Sequence, residues 1–272
     1  MRETTGISER RACGLADISR TVMSYDPKPD GNEELRSKII DLAQVRKRFG
    51  YRRIHALLRR EGIMVNSKRV YRLYTEENLS VRRRKRKKGI AVEREPLVLP
   101  DAPNEMWSMD FVMDRLANGN RLKLLTIVDD FTKESIDLVA SRSITGDDLT
   151  DILDKIGRFR GLPKAIRTDQ GPEFTSRALD AWAYRNGVKL KLIQPGKPTQ
   201  NAYIESFNGK FRDECLNDHW FNNMAEARVI IAAWRRDYNE RRPHSSLGYM
   251  TPAEMAAQHR TTVRNTEKEE IK

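Results

Sequence analysis

The sequence predicts a mixed α/β domain preceded by a smaller all-α one. Three observations predict it. Apolar residues recur at helical spacing up to Tyr74 and switch to near-strict alternation at Trp107. Three strand-like segments then follow one another, after which helices and strands alternate, the order of a sheet with a meander and crossover connections. Between the two regimes lie an unbroken basic run and a proline-bearing stretch.

Composition narrows the class of function. The chain has 272 residues, 38% of them hydrophobic, which suits one or two domains with cores and excludes a disordered or collagenous chain. Its net charge is +12, and residues 1–100 hold all of that excess, with 25 basic and 13 acidic residues against 26 of each in the remainder. Such asymmetry points to a front part that binds a polyanion, with nucleic acid as the partner. Two cysteines, Cys13 and Cys215, cannot build a disulfide framework or a Cys-rich zinc site, and four scattered histidines do not help. The longest apolar run, Val229 to Trp234, is far short of the ~18 residues of a membrane span. A cytoplasmic protein without a membrane partner is expected.

Residues 1–30 are expected to be a helical lead-in and residues 31–88 a helix-turn-helix-like DNA-binding domain. Leu35, Ile39 and Leu42 mark a helix stopping at Gly50, and Tyr51, Ile54, Leu57 and Leu58 mark a second one up to Gly62. Asn66 or Ser67 caps a third, whose Val70, Leu73 and Tyr74 turn inward and leave Lys68, Arg69 and Arg72 outward for DNA. The run Arg82, Arg83, Arg84, Lys85, Arg86, Lys87 and Lys88 repels itself, and phosphates relieve that while counterions are released. Residues 89–105, with Pro96, Pro100 and Pro103, are the expected linker.

The second domain is expected over 106–220. Trp107, Met109, Phe111 and Met113 alternate with Ser108, Asp110, Val112 and Asp114, which makes a strand with Asp110 on its less apolar face. Asn118-Gly119 is a hairpin turn; strands over 122–128 and 135–140 complete the meander. A helix capped by Thr145 and ended by Gly161, a strand over 164–168, a helix ended by Asn186-Gly187 and a strand over 188–193 follow. The turn Gln194-Pro195-Gly196-Lys197-Pro198 leads to a helix over about 200–216, with Ile204, Phe207, Phe211 and Cys215 on one stripe and Asn201, Glu205, Asn208 and Arg212 on another. Residues 221–260 are expected to be a helical extension with Ala227, Ile230, Ile231, Trp234 and Tyr238 on one face, and 261–272 a polar, disordered tail. Arg235, Arg236, Arg241 and Arg242 in that extension either reach phosphates or form a solvated helix side.

Placement makes three of the acidic residues candidates. Asp110 lies mid-strand among apolar neighbours, Asp169 ends a strand where α/β sites are built, and Glu205 sits a quarter turn off a buried helix face. Oxygen ligation without Cys or His suits Mg²⁺ or Mn²⁺, two ions of which would support phosphodiester substitution. Asp114, Asp129, Asp130 and Glu173 are rivals by position, and spacing does not reject Asp129.

The segments Trp107-Ser108-Met109-Asp110-Phe111, Arg167-Thr168-Asp169-Gln170-Gly171-Pro172-Glu173-Phe174 and Asn201-Ala202-Tyr203-Ile204-Glu205-Ser206-Phe207-Asn208-Gly209-Lys210 resemble the integrase-type core of bacterial insertion-sequence transposases. More closely, the chain is similar to the second-frame product of the insertion-sequence-three family. That family has 35 residues between the second and third acidic residues, as between Asp169 and Glu205, and a basic residue seven after the Glu, matched by Arg212. Phe49-Gly50-Tyr51-Arg52-Arg53-Ile54-His55 and Arg242-Pro243-His244-Ser245-Ser246-Leu247-Gly248-Tyr249 extend the likeness over about residues 30–255.

The resemblance implies an RNase H-like fold, a mixed five-stranded sheet with flanking helices, that cleaves 3′ ends and transfers strands of the element's own DNA. Asp110, Asp169 and Glu205 become the catalytic, metal-holding triad with two Mg²⁺ or Mn²⁺ ions. Asn208 and Arg212 would position substrate, and Lys197 and Lys210 are counted with them as DNA contacts. The implied partners are double-stranded DNA at element ends and target, an upstream-frame product or fusion, and further copies on DNA, in a bacterial nucleoid. Two other readings stay open: an end-binding protein or inhibitor that does not cut, and a nuclease that cuts without joining. A Ser-His hydrolase around His244 lacks a nucleophile elbow, and Cys215 with His219 lacks further metal ligands.

Overall fold

The computed structural model describes residues 6–26, 31–81, 100–193 and 201–259. The basic run 82–88, Lys197, most of the linker and the tail 261–272 lie outside the described residues.

Two short helices, α1 (Glu9–Leu15) and α2 (Arg20–Met23), precede a three-helix unit of α3 (Glu33–Val45), α4 (Tyr51–Arg60) and α5 (Ser67–Glu76). The unit closes around Ile39, Phe49, Ile54, Leu58, Val70, Leu73 and Tyr74, all essentially removed from water. Each such aliphatic or aromatic burial contributes roughly 1.5–3 kcal/mol. Asn66 caps α5 by accepting from the Lys68 amide at 2.8 Å, and Gly62 ends the preceding turn at φ +82°, where a side chain would be strained.

The following domain has five strands: β1 (Met106–Arg115), β2 (Arg121–Asp129), β3 (Ser135–Ser141), β4 (Ala165–Thr168) and β5 (Lys189–Leu192), in the order β3-β2-β1-β4-β5. The first three pair antiparallel through short turns, the β1–β2 turn closing with the Leu116 amide on Asn120 O at 2.9 Å. β4 and β5 join in parallel because α6 (Gly146–Arg160) and α7 (Arg177–Asn186) carry the chain back across the sheet. Thr145 and Asp148 form a reciprocal capping box on α6, and Gly187 in the left-handed region stops α7.

Helices cover both faces. α6 and α7 place Leu149, Leu153, Leu179 and Trp182 against Trp107, Met109 and Ile127 on one side. On the other, α8 (Ala202–Glu214) and α9 (Met224–Glu240) bring Ile204, Phe207, Phe211, Ile231 and Tyr238 onto Val112, Leu124 and Val128. The first half of β1 is therefore buried on both faces, Ser108 as fully as Trp107, and the expected division into an apolar and a less apolar face fails there. The cause is position: β1 is the central strand, while its far end outruns β4 and leaves Met113 45% exposed. A final helix, α10, spans 252–259 behind a capping box in which the Thr251 amide donates to Glu254 at 2.7 Å.

The front helices dock on the last segments. Arg46 makes a two-pronged pair with Asp237 at 2.5 Å per contact, and Arg60 reaches Glu254 at 2.5 Å and Tyr249 O at 3.2 Å. Among the described residues no helix is long and apolar enough to cross a membrane.

Candidate active site

Parallel pairing of β1 with β4 sets Ser108 opposite Arg167. Two residues further along both strands the same register brings Asp110 beside Asp169, the first residue past β4. Asp110 is half-buried; its carboxylate accepts from the Phe111 amide at 2.7 Å and from Asn208 Nδ2 on α8 at 2.8 Å. Asn208 lies one helical turn after Glu205, so the hydrogen bond that orients Asp110 also draws Glu205's turn of α8 over the strand. Asp169 is exposed and accepts from the Gly171 amide at 3.0 Å. A Cβ on Gly171 would stand 3.2 Å from that carboxylate oxygen, so the turn favours a residue without one.

Electrostatics ties the three together. Burial first, then the charges of Asp169 and Glu205, raise the pKa of Asp110, the two neutral donors offset part of this, and the net result is about 6. An Asp at a strand end and a Glu on a helix thus oppose the ionisation of the Asp on β1. The donors are hard oxygens, right in kind for Mg²⁺ or Mn²⁺. They are not closed around a point: among the described residues no three Asp, Glu, His or Cys side chains form a ready metal-binding group. Asp169 and Glu205 are exposed, with room to turn toward Asp110.

The rival carboxylates have other tasks. Asp129 is fully buried and accepts from the amides of Asn104, Phe131 and Thr132 at 2.7–2.9 Å, which makes it a turn acceptor. Asp130 pairs with Arg167 at 2.8 Å, and Glu173 pairs with Lys123. Asp114 accepts from the amide of its neighbour Arg115 at 2.8 Å.

Around the site, Arg212 is exposed and donates to Met113 O at 3.4 Å, at the far end of β1. Lys210 turns to the other side of α8 and donates to Ser206 Oγ at 3.1 Å. Lys68, Arg69 and Arg72 are exposed on α5 as expected, although Arg69 leans on Asn32 Oδ1 at 2.5 Å and Arg72 on Glu76 at 3.5 Å. Arg242 is not part of a solvated helix side: it is 1% exposed and binds Glu214 with two hydrogen bonds of 2.7 and 2.5 Å. Arg235 pairs with Asp137 and donates to Ile136 O at 2.8 Å, anchoring α9 to β3.

His244 is buried, set edge-on against Tyr238 at 4.7 Å, and held neutral by burial and by Arg242 and Lys210, with its pKa lowered to about 2. Cys215 lies in the core, its thiol pushed up to about 12 by burial, and His219 bonds Cys215 O at 2.8 Å.

One layer escaped sequence reasoning. Beneath the carboxylates, Asp130 takes Arg167, and Lys133 donates to Asp130 O at 2.5 Å while its ammonium lies 3.6 Å from the centre of the Tyr203 ring. Ser108, Arg167 and Tyr203 each precede a site carboxylate by two residues. That offset was visible, but which turn supplies Asp130 and Lys133 was not.

Comparison with known proteins agrees with this architecture. An integrase core domain family matches residues 100–198, a second integrase core domain family 186–252, and an HTH-like domain family 30–87. The chain is 64% identical over 263 residues to the 31.7 kDa protein of insertion element IS407 from Burkholderia multivorans, covering 96% of this chain and 95% of that one. It is 54% identical to the 39.2 kDa protein of insertion element IS476 from Xanthomonas euvesicatoria, over 97% of this chain and 77% of that one. The putative transposase InsK for insertion sequence element IS150 of Escherichia coli is 29% identical over 88% of this chain and 90% of its own length. Among solved structures, a chain of the simian T-cell lymphotropic virus intasome in complex with PP2A regulatory subunit B56 gamma shares the fold. Its TM-score is 0.54 at 15% identity, covering 80% of this chain and 74% of that one.

Proposed function

Because the chain belongs to the integrase-core transposases of bacterial insertion elements, second-frame products of the insertion-sequence-three type, we propose that Asp110, Asp169 and Glu205 form its catalytic centre for cutting and joining DNA at element ends. One observation carries this assignment: the Asp110 carboxyl is raised to about 6 by burial and by the charges of Asp169 and Glu205, an arrangement a bound cation would relieve.

The three carboxylates would hold two divalent ions, Mg²⁺ or Mn²⁺. Such ions activate a water or a 3′-hydroxyl and stabilise the leaving oxygen in phosphodiester substitution. Asn208 holds Asp110 Oδ2 and the Phe111 amide holds Oδ1, so the carboxylate is fixed in orientation, and each oxygen keeps a further lone pair for a ligand. Gly171 gives Asp169 its turn at the strand end. Arg212, exposed beside the end of β1, would take a phosphate of the substrate strand. Lys68, Arg69 and Arg72 on α5, with Arg82 to Lys88, would hold the duplex along the front domain, and Lys197 would add a contact from the second domain.

Double-stranded DNA is the proposed substrate. Assembly of several copies on it, and an upstream-frame product as partner or fusion, complete the proposal. The test incubates the purified chain with a labelled duplex bearing the element's end and Mg²⁺ or Mn²⁺, comparing wild type with E205Q. Nicked and joined products from wild type alone support the proposal. Products from both would sink the assignment of Glu205, and bound but uncut duplex from both would favour an end-binding protein that needs the upstream partner for chemistry.

A further inference from the structure

Two segments almost two hundred residues apart meet on Phe49. This ring, 2% exposed at the end of the turn after α3, has three guanidinium groups over it: Arg46 at 5.4 Å, Arg53 at 5.4 Å and Arg242 at 5.5 Å. Arg46 is neutralised by Asp237. Arg242 takes both oxygens of Glu214. Glu214 is then the carboxylate whose charge reaches Arg53 and Lys210, and it is already occupied.

Three cations, Arg53, Lys210 and Arg242, therefore share one carboxylate where hydration is reduced. Arg53 and Lys210 are both half-buried and both held below their ordinary pKa, first by burial and then by the charge of Arg242. Behind them, Arg242 Nη1 and His244 Nε2 are buried and have no hydrogen-bond partner among the described residues; their side chains are 1% and 3% exposed. A donor left bare in such a place costs about 1–3 kcal/mol, and like charges add to that. A folded chain retains such a cluster at a loss unless an anion completes it.

We propose that Lys210 and Arg53, backed by Arg242, form a seat for one backbone phosphate of bound DNA, at the junction of the front helices and the integrase-type domain. The inference rests on the DNA-processing reading above. Lys210 follows Glu205 by five residues on α8, roughly 7.5 Å further along the helix axis, so the seat lies outside the proposed triad yet on the same helix. Arg53 belongs to α4, which places the phosphate between the duplex-reading unit and the catalytic one. A phosphate there would link the two through DNA, beside the direct pairs Arg46–Asp237 and Arg60–Glu254.

The test needs no catalysis. Binding of an element-end duplex to the full chain is followed by fluorescence anisotropy in chelator, across a salt series. K210Q and R53Q are each expected to shallow the plot of log K against log salt by about 0.9, the release from one phosphate, and K210R to keep the wild-type slope. K155Q, an equal charge change on the exposed side of α6, is expected to leave the slope unchanged. In the free protein K210Q is expected to raise Tm, since it removes a repelled charge. Unchanged slopes for K210Q and R53Q, or a lowered Tm for K210Q, would overturn the seat. A thermal shift with inorganic phosphate alone, lost in K210Q with no change in slope, would assign a free anion and overturn it too. Altered slopes with no cutting by wild type in Mn²⁺ would leave the seat standing and remove the proposed chemistry; no duplex bound by wild type would remove both.

Discussion

Ser108 on β1 stands directly opposite Arg167 on β4, and each lies two residues before a carboxylate of the proposed centre, Asp110 and Asp169. The register of a parallel pair thus delivers both acids to one spot, and Arg167 ties that spot to the β2–β3 turn through Asp130 at 2.8 Å. Lys133, over the Tyr203 ring at 3.6 Å, ties the start of α8 to the same turn. The Asp130 amide donates to Met106 O on β1 at 2.9 Å, so the three carriers of the site share this one anchor.

Breaking that anchor is expected to destabilise the fold. Asp130→Ala leaves Arg167, with its side chain 11% exposed, without its carboxylate. The loss expected for a buried pair broken on one side is about 3–5 kcal/mol, read as the change in midpoint of urea unfolding. R167M with D130L, removing both charges, is expected to recover most of it. A D130A protein as stable as wild type would show that the pair does not hold the layer.

Asn208→Ala is expected to lower cutting and joining about 10–100-fold while leaving duplex affinity within twofold, because Asn208 orients Asp110 and its loss frees that carboxylate to turn. Single-turnover cleavage and anisotropy measured on the same preparation separate the two effects. Equal losses in both would place Asn208 on the DNA instead.

Metal binding and pH are linked at Asp110. Its folded pKa, about 6, lies above its ordinary value, so the folded state holds its proton more tightly and stability falls as pH rises from about 4 through about 6. D110N lacks that loss and is expected to have a higher Tm than wild type at pH 7 without metal. Mn²⁺ is expected to raise the Tm of wild type, by the equivalent of about 2.7 kcal/mol at a hundred times its Kd, and to leave D110N unmoved. An equal shift in both proteins would take the ion away from Asp110.

His244 gives the opposite sign. Its folded pKa is lowered to about 2, so the unfolded chain binds the proton that the folded chain refuses, and stability is lost as pH falls below about 6.5. H244F keeps the ring against Tyr238 and is expected to flatten the acid side of the stability profile by up to about 1.4 kcal/mol per pH unit between pH 4 and 6. Parallel profiles for the two proteins would show that His244 is charged in the fold.

Most elements were legible along the chain because their signals are local. Alternation marked the start of the first strand, Asn118-Gly119 the hairpin, and Thr145 and Asn66 the helix starts, each satisfying backbone groups a few residues away. The two-faced burial of β1 was not legible, since a strand's neighbours, and not its own residues, decide whether its second face meets water. Arg242 misled for the same reason: an arginine among arginines after a helix looks solvent-facing until Glu214 and Phe49 arrive from other segments.

By itself the sequence determined the class of the fold and the uneven charge and, through its resemblance, proposed which three carboxylates act together, because periodicity, composition and motif order are properties of the chain alone. Spacing left Asp129 level with Asp110. Tertiary structure gave them different surroundings: three backbone amides on Asp129, and on Asp110 two like charges and the Asn208 amide. A carboxylate's role depends on which donors and charges lie within a few ångströms of it, and for Asp110 these come from Asp169, Glu205 and Asn208, far along the chain.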